Sequence, residues 1–258
     1  AQESRGLGDV YKRQVLIHPA STGRGYDATS PICRPMTRNF GRRPLTIALM
    51  EQKEVLKALQ RDHAAELKLA AERLAGTARH TEIIPSPTLS EMTGHEILLK
   101  PENLQVTGSF KIRGAYNKIA SLTDEELARG IVTASAGNHA QGVAYAARER
   151  GAKATICMPT ITPPLKVDAT KAYGADVVLH GDVFDEAAAY AAKLSEEQGM
   201  IFVPPFDDYE VICGQGTIAL EILEDVPNVT DIVVPLGGGG LGLSLIHISE
   251  PTRLLSIS

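Results

Sequence analysis

The apolar residues in the middle of the chain fall into short runs that are separated by amphipathic stretches. Runs typical of buried strands occupy 97–99, 131–134, 154–158, 176–179, 200–203 and 231–234. Helical spacing predicts helices over 51–75 and over about 111–121, 139–150, 164–173, 183–198 and 211–224. Strands that alternate with helices favour an α/β fold, in which mainly parallel sheets carry helices on both faces. Ligands of such folds bind in the loops that follow the carboxyl ends of strands.

The two ends of the chain lack this pattern. Residues 1–49 show no lasting periodicity, and the alternation stops abruptly near residue 243. The runs GLGDVYKRQ and SLIHISEPTR resemble translated sequencing-adapter sequence. We therefore expect 1–49 to be non-native or disordered and 243–258 to be a non-native tail.

Composition narrows the classes of protein that fit. Of the 258 residues, 43% are hydrophobic and 22% are charged, which is typical of a globular protein. A formal net charge of -5 argues against a nucleic-acid partner, because phosphate binding needs clustered cations. No apolar run is long enough to span a bilayer, and the amino terminus lacks the apolar stretch of a secretory signal.

The spacing of the cysteines indicates a cellular compartment but does not indicate a metal site. Cys33, Cys157 and Cys213 are far apart and show no metal-ligand spacing, so we predict no metal site. Unpaired thiols are typical of a reducing compartment, and we expect the protein to be cytoplasmic.

The first loop with chemical potential is TGSFKIRGAYNKI, which starts at Thr107. Ser109 is positioned to cap a helix that begins near Lys111. A lone lysine in a helix is usually solvated, but Phe110 and Ile112 flank this one. A desolvated lysine near the positive end of a helix has a lowered pKa, and its neutral amine attacks aldehydes. Lys111 is therefore a candidate Schiff-base residue.

The second loop is SAGNHAQG, which follows the strand at 131–134 directly. The free N–H groups of the next helix would form an anion site suited to a substrate carboxylate. Asn138 adds a side-chain donor for a phenolate-type oxygen. The alternative is an ordinary strand-to-helix turn in which Ser135 and Asn138 serve as caps. We take His139 to be structural.

The third loop is PLGGGGL, which follows the strand at 231–234. Successive glycines expose backbone N–H groups in a concave nest that suits a phosphate. The run also satisfies GxGxxG, but consecutive glycines do so trivially, and no ribose-binding acid follows. Phosphate binding is therefore favoured over dinucleotide binding.

An anchoring lysine, a phosphate nest and a carboxylate pocket are what a phosphorylated aldehyde cofactor and an amino acid require. The runs TGSFKIRGAYNKI, TASAGNHAQGVAYAA, VPPFDD, GQGTIALEI and VPLGGGGL resemble the threonine ammonia-lyase (threonine dehydratase) family. This resemblance covers about 64–242. It implies a fold-type II pyridoxal-phosphate core with two subdomains: a small one of about 125–207, and a large one of about 50–124 plus 208–242.

The resemblance also implies roles for particular residues. Lys111 would bind pyridoxal 5'-phosphate covalently, and Asn138 would bond the 3-oxygen of the cofactor. Phe110 would pack near the pyridine ring. The phosphate would be held by Gly237, Gly238, Gly239 and Gly240, with Leu241 closing the loop. The backbone amides of Ser135, Ala136, Gly137 and Asn138 would receive the substrate carboxylate.

The reaction that the resemblance implies is the elimination of water from an amino acid. L-threonine would give 2-oxobutanoate and ammonia, and L-serine would give pyruvate, in isoleucine biosynthesis or threonine catabolism. Lys111 would take the Cα proton as general base. Racemase relatives carry a hydroxyl where this chain has Ala136, so elimination is favoured over racemisation. The family also implies a homo-oligomer, a dimer or a tetramer.

Two alternative interpretations of the function stay open. A β-replacing or synthase enzyme of the same fold is the main alternative, and a small-molecule-binding module is the non-enzyme alternative.

The catalytic core of the family continues beyond the glycine run, and the partner of the pyridine nitrogen and a cation site lie there. We therefore regard the core as incomplete and expect the chain by itself to be unstable or inactive, because buried faces of its sheet would meet water. Soluble expression with a bound-cofactor absorbance band would contradict this expectation.

Overall fold

The computed structural model describes residues 63–235, 241–242 and 244–245, and the backbone of 15–19. The elements in chain order are β1 (Val15–Pro19), α1 (His63–Leu74), β2 (Ile84–Pro85), α2 (Pro87–Thr93), β3 (Leu98–Lys100), a 3-10 helix (Glu102–Leu104), α3 (Lys111–Ala120), α4 (Asp124–Ala128), β4 (Ile131–Ala134), α5 (Asn138–Glu149), β5 (Ala154–Met158), α6 (Pro164–Lys171), β6 (Asp176–Leu179), α7 (Phe184–Gln198), β7 (Ile201–Phe202), α8 (Tyr209–Asp225) and β8 (Val229–Val233).

A four-stranded parallel sheet in the order β6-β5-β4-β7 confirms the α/β fold class. Successive side chains of a strand point to opposite faces. Ile156 and Met158 therefore pack on the face covered by α5 and α6, whereas Cys157 packs on the face covered by α7. β4 is buried along its whole length because it lies inside the sheet and is covered on both faces. This explains why its sequence is an almost continuous apolar run.

The second sheet has the order β2-β3-β1-β8, and its pairs are antiparallel. Its strand β1 lies between β3 and β8, with Leu16 opposite both Leu99 and Val233. This strand comes from the segment 1–49, for which the sequence predicts no regular structure. Whether 1–49 belongs to the natural protein stays a prediction, but five of its residues complete a sheet here.

The predicted elements agree closely with the observed ones. Strands β4, β5 and β6 have the predicted bounds, and the predicted helices between the strands all form. Of the helix predicted over 51–75, the part 51–62 lies outside the described residues, and α1 covers the rest. The sequence missed α2 and α4, which have seven and five residues and are too short to show a helical period. Local chemistry explains α4 instead, because Thr123 and Glu126 form a capping box at its start.

Glycines allow α3 to lie very close to its neighbours α5 and α8. A Cβ atom on Gly214 would lie 2.5 Å from the carbonyl oxygen of Arg113, and one on Gly114 would lie 2.7 Å from the carbonyl oxygen of Val211. On the other side, a Cβ on Gly142 would lie 3.2 Å from the carbonyl carbon of Lys111. The start of α3 is therefore held between two helices by backbone contact.

The strands of the parallel sheet all fall within 125–207, the range assigned to the small subdomain, but the division into two subdomains stays a prediction. Among the described residues, no helix is long and apolar enough to cross a membrane.

Candidate active site

Lys111 is the first residue of α3, as the sequence predicts. Its amine donates a hydrogen bond to the carbonyl oxygen of Pro205 at 2.5 Å. The same nitrogen lies 5.4 Å from the ring centre of Phe110 and 6.0 Å from that of Phe206. The described neighbours of the amine thus include two apolar rings and one carbonyl oxygen.

Burial lowers the pKa of Lys111 from its ordinary value of 10.5 to about 8. The cause is loss of hydration, which penalises the charged ammonium more than the neutral amine. A neutral amine with a free lone pair is the form that attacks an aldehyde carbon or accepts a proton from carbon. The lowered pKa fits the predicted role of Lys111 as the Schiff-base residue, and that role stays a prediction.

The prediction that Ser109 caps α3 is wrong. The residue before the helix is Phe110, which has helical backbone angles, and no side chain caps this end. The Ser109 hydroxyl is instead fully buried and has no hydrogen-bond partner among the described residues. A buried hydroxyl without a partner is costly, so a polar group placed against it would be stabilised.

The loop 135–138 connects the carboxyl end of β4 to α5, as predicted. Two of its four backbone amides already have acceptors: Ser135 N–H donates to the carbonyl of Cys157, and Gly137 N–H donates to the Ser135 hydroxyl. The amides of Ala136 and Asn138 have no acceptor among the described residues. Because Asn138 is the first residue of α5, its N–H also lies at the positive end of that helix.

The segment 203–205 after β7 brings the lysine and this loop to the same edge of the sheet. β7 pairs with β4, so their carboxyl ends are neighbours. The carbonyl of Val203 accepts hydrogen bonds from Thr133 Oγ1 at 2.6 Å and from His139 Nε2 at 3.0 Å. Two residues later the Pro205 carbonyl accepts from Lys111. The segment lies in the run VPPFDD that contributes to the family resemblance, but the role of Pro205 was not predicted, because a backbone acceptor has no signature in the sequence.

His139 is buried and hydrogen-bonded to the backbone carbonyl of Val203, which fits the structural role predicted from the sequence, and that role stays a prediction. Burial lowers its pKa to about 4, and the nearby charge of Lys111 acts in the same direction. The ring is therefore neutral near pH 7, and Nε2 must carry the proton because a carbonyl can only accept. Its Nδ1 is buried and has no partner among the described residues.

The predicted phosphate nest, Gly237 to Gly240, lies outside the described residues. Leu241, which follows it, is buried in a core cluster with Ile218 and Ile222 of α8, and Phe110 packs against the same cluster. Two of the predicted cofactor-binding residues are thus brought to one region of the fold, next to Lys111. Leu245 is buried in this cluster as well, although it falls within the range expected to be a non-native tail.

A buried ion network anchors α3 two residues after the lysine. Arg113 donates to Glu102 at 2.8 and 2.9 Å, and to Glu221 at 2.6 and 2.9 Å. Burial opposes the charge of Arg113, but the hydrogen bonds and charges of Glu102 and Glu221 outweigh it and raise the pKa of the guanidinium.

Lys100 extends the network at its far side. This fully buried side chain pairs with Glu221 at 2.7 Å and donates to the carbonyl of Thr81 at 2.6 Å. Ion pairs therefore link four elements of the fold: strand β3, the 3-10 helix, α3 and α8. The network could not be predicted from the sequence, because Lys100 and Glu221 are 121 residues apart along the chain.

Comparison with known proteins identifies the family. The family model described as "Pyridoxal-phosphate dependent enzyme" matches residues 74–249, and the chain belongs to this family. It is 56% identical over 176 residues to an L-threonine ammonia-lyase of Thermotoga maritima, a match that covers 68% of this chain and 44% of the relative. It is 52% identical over 192 residues to the catabolic L-threonine dehydratase TdcB of Escherichia coli, covering 73% and 58%. These matches confirm the resemblance found in the sequence.

Solved structures give the same result. Threonine deaminase isoform 2 from Solanum lycopersicum matches with a TM-score of 0.66 and 38% identity, covering 79% of this chain and 54% of that one. Maize serine racemase matches with a TM-score of 0.69 and 34% identity, covering 74% and 58%. The chain spans about half the length of the relatives it matches.

The described residues fit the cofactor that defines this family. An amine with a lowered pKa stands at the start of α3, and the buried Ser109 hydroxyl two residues earlier lacks a partner. The side chain of Gln215, on the helix α8 that packs against α3, is also buried and without a partner in the described part of the chain. A phosphorylated, oxygen-rich aldehyde suits an amine on a helix whose neighbouring segments carry unpaired polar groups.

We predict that Arg113→Met lowers the free energy of unfolding by about 3–5 kcal/mol, because it leaves Glu102 buried without its cation. Urea denaturation measures this change. The matched control is Lys193→Met, which removes the exposed Lys193–Glu197 pair and is expected to change stability by less than about 0.5 kcal/mol. Equal midpoints for the two variants would show that the network does not hold α3.

Proposed function

We propose that the full-length protein deaminates L-threonine, and L-serine as a second substrate, by pyridoxal-phosphate-dependent elimination of water. The products are 2-oxobutanoate or pyruvate, with ammonia. The observation that supports this most directly is the amine of Lys111, whose pKa is lowered to about 8 at a helix start beside the loop 135–138. The similarity to two threonine-deaminating relatives at 52% and 56% identity supports the choice of substrate.

In this proposal, Lys111 holds the cofactor, and Asn138, Phe110 and Leu241 contact it. The glycines Gly237, Gly238, Gly239 and Gly240 bind its phosphate. The bound cofactor supplies an electron sink that weakens the Cα–H bond of an attached amino acid.

The substrate carboxylate binds at the loop 135–138. Because the amides of Ser135 and Gly137 are already engaged, the amides of Ala136 and Asn138 are the donors that we assign to it. The positive end of α5 favours an anion at this position. A carboxylate held there lies at the same sheet edge as Lys111, since β4 and β7 are neighbours.

Lys111 is the general base for the Cα proton. Burial lowers its pKa to about 8, so the neutral fraction that a base requires increases as the pH rises towards 8. The carbonyl of Pro205 orients the amine before reaction. A proton donor on the opposite face would permit racemisation, but Ala136 has no proton to give, which favours elimination.

We also propose that the protein works in the cytoplasm as a homo-oligomer, a dimer or a tetramer. The location is supported by the separated cysteines, which are typical of a reducing compartment, and the oligomer by the resemblance to the family. Two subdomains, about 125–207 and about 50–124 plus 208–242, are part of the same proposal.

The test is a keto-acid assay on the full-length protein with added cofactor. L-threonine is expected to yield 2-oxobutanoate, and Lys111→Ala is expected to reduce the rate by at least about 100-fold, the contribution typical of a general base. Lys118→Ala is the matched control, since Lys118 lies on the same helix and pairs with Asp208 instead.

Other outcomes would contradict the proposal. Accumulation of D-serine from L-serine without pyruvate would indicate a racemase. A β-replacing enzyme would be indicated if an added thiol became joined to the amino acid while very little keto acid was formed. Binding of an amino acid without turnover would indicate a binding module.

A further inference from the structure

Phe206 is an exposed aromatic residue beside the reactive amine. Its ring centre lies 6.0 Å from Lys111 Nζ, and the preceding residue, Pro205, accepts the hydrogen bond of that amine. The residue as a whole is 40% exposed. Single exposed apolar residues are common, so what distinguishes Phe206 is the position of its ring beside the reactive amine, at the edge of the candidate active site.

Packing does not account for this ring. None of the three hydrophobic clusters formed by the described residues includes Phe206. Phe110, the other ring near Lys111, packs against the cluster that contains Leu241 and Ile218. Phe110 therefore contributes to the core, whereas Phe206 presents its apolar surface beside the amine.

The distances match a substrate side chain. If Lys111 takes the Cα proton, as the proposed function states, Cα lies about 3–3.5 Å from Nζ. Each further carbon–carbon bond adds about 1.5 Å. The β-carbon and a methyl group attached to it would then lie about 4–6 Å from Nζ. The ring centre of Phe206 lies 6.0 Å from the same atom, so the ring is within reach of a methyl group on that side of the amine.

We infer that Phe206 is a specificity-determining residue that contacts the methyl group of threonine and so favours threonine over serine; this inference rests on the proposed function. Serine has a hydrogen in place of that methyl group, so it gains nothing from the apolar ring. An extra methylene in an apolar pocket changes kcat/KM by roughly 10- to 200-fold. Phe206 would form one wall of such a pocket, so it is expected to supply part of this difference in kcat/KM.

The experiment compares kcat/KM for L-threonine and L-serine in the holoenzyme and in Phe206→Ala. The ratio of the two values is expected to fall by about 5- to 10-fold, a fraction of the full pocket effect, mainly through a higher KM for threonine. Titration with each amino acid, followed through the cofactor absorbance, is expected to show weaker threonine binding and unchanged serine binding. Phe206→Leu keeps an apolar side chain and is expected to retain most of the preference.

Phe184→Ala is the matched control. Phe184 is similarly exposed, at 47%, but begins α7 and makes no ring contact with Lys111 in the described part of the chain. It should leave the ratio unchanged. Two results would overturn the inference without affecting the proposed function. One is a threonine-to-serine ratio of kcat/KM in Phe206→Ala equal to that of the unsubstituted enzyme, and the other is an equal loss of kcat/KM for both substrates. If the unsubstituted enzyme releases no keto acid from either substrate, the proposed function fails, and the inference fails with it.

Discussion

The ion pairs of Arg113 with Glu102 and Glu221 connect the parts of the chain that position Lys111. These charges are buried or nearly so, and each one is compensated by hydrogen bonds at 2.6–2.9 Å. Buried ion pairs add little stability relative to a well-packed apolar core, but they allow very few arrangements of the side chains and helices that carry them. Because Arg113 is two residues after Lys111, the network fixes where α3 starts. It therefore also fixes where the amine is located.

Close helix packing adds a second constraint at the same helix. Gly214 brings α8 into a backbone contact with α3 that a larger residue would not permit, and a Cβ atom on Gly142 would lie 3.2 Å from the Lys111 backbone, so that α5 or α3 would have to shift slightly. The result is a lysine whose backbone is held rigidly while its amine remains partly buried. A low local dielectric and a fixed position are the two conditions that give a lysine a lowered pKa and directed reactivity. Two described loops, 135–138 and 203–205, lie with the lysine at the carboxyl edge of the parallel sheet.

Much of the parallel sheet and the start of α3 could be predicted from the sequence, because short stretches of residues determine these elements. The apolar runs of β4, β5 and β6 and the helix start at Lys111 follow from short-range pattern. The antiparallel sheet could not be predicted, since β1 lies in a segment without periodicity and its partners are far away in the chain. The Ser109 cap was predicted wrongly, because a hydroxyl near a helix start fits a cap or a buried unpaired position equally well. The Pro205 acceptor and the Arg113 network depend on tertiary contacts alone.

The central claim is that Lys111 is the residue that binds the cofactor, and one labelling experiment tests it directly. The full-length protein is mixed with pyridoxal 5'-phosphate over a range of pH, reduced with borohydride, and mapped by peptide mass spectrometry. Because the pKa of Lys111 is lowered to about 8, the neutral amine increases as the pH rises through that value, well below its ordinary 10.5. We therefore expect the label to concentrate on Lys111, and its rate of formation to have a midpoint near pH 8. A label spread over other lysines, or a Lys111 midpoint near pH 10, would contradict the account.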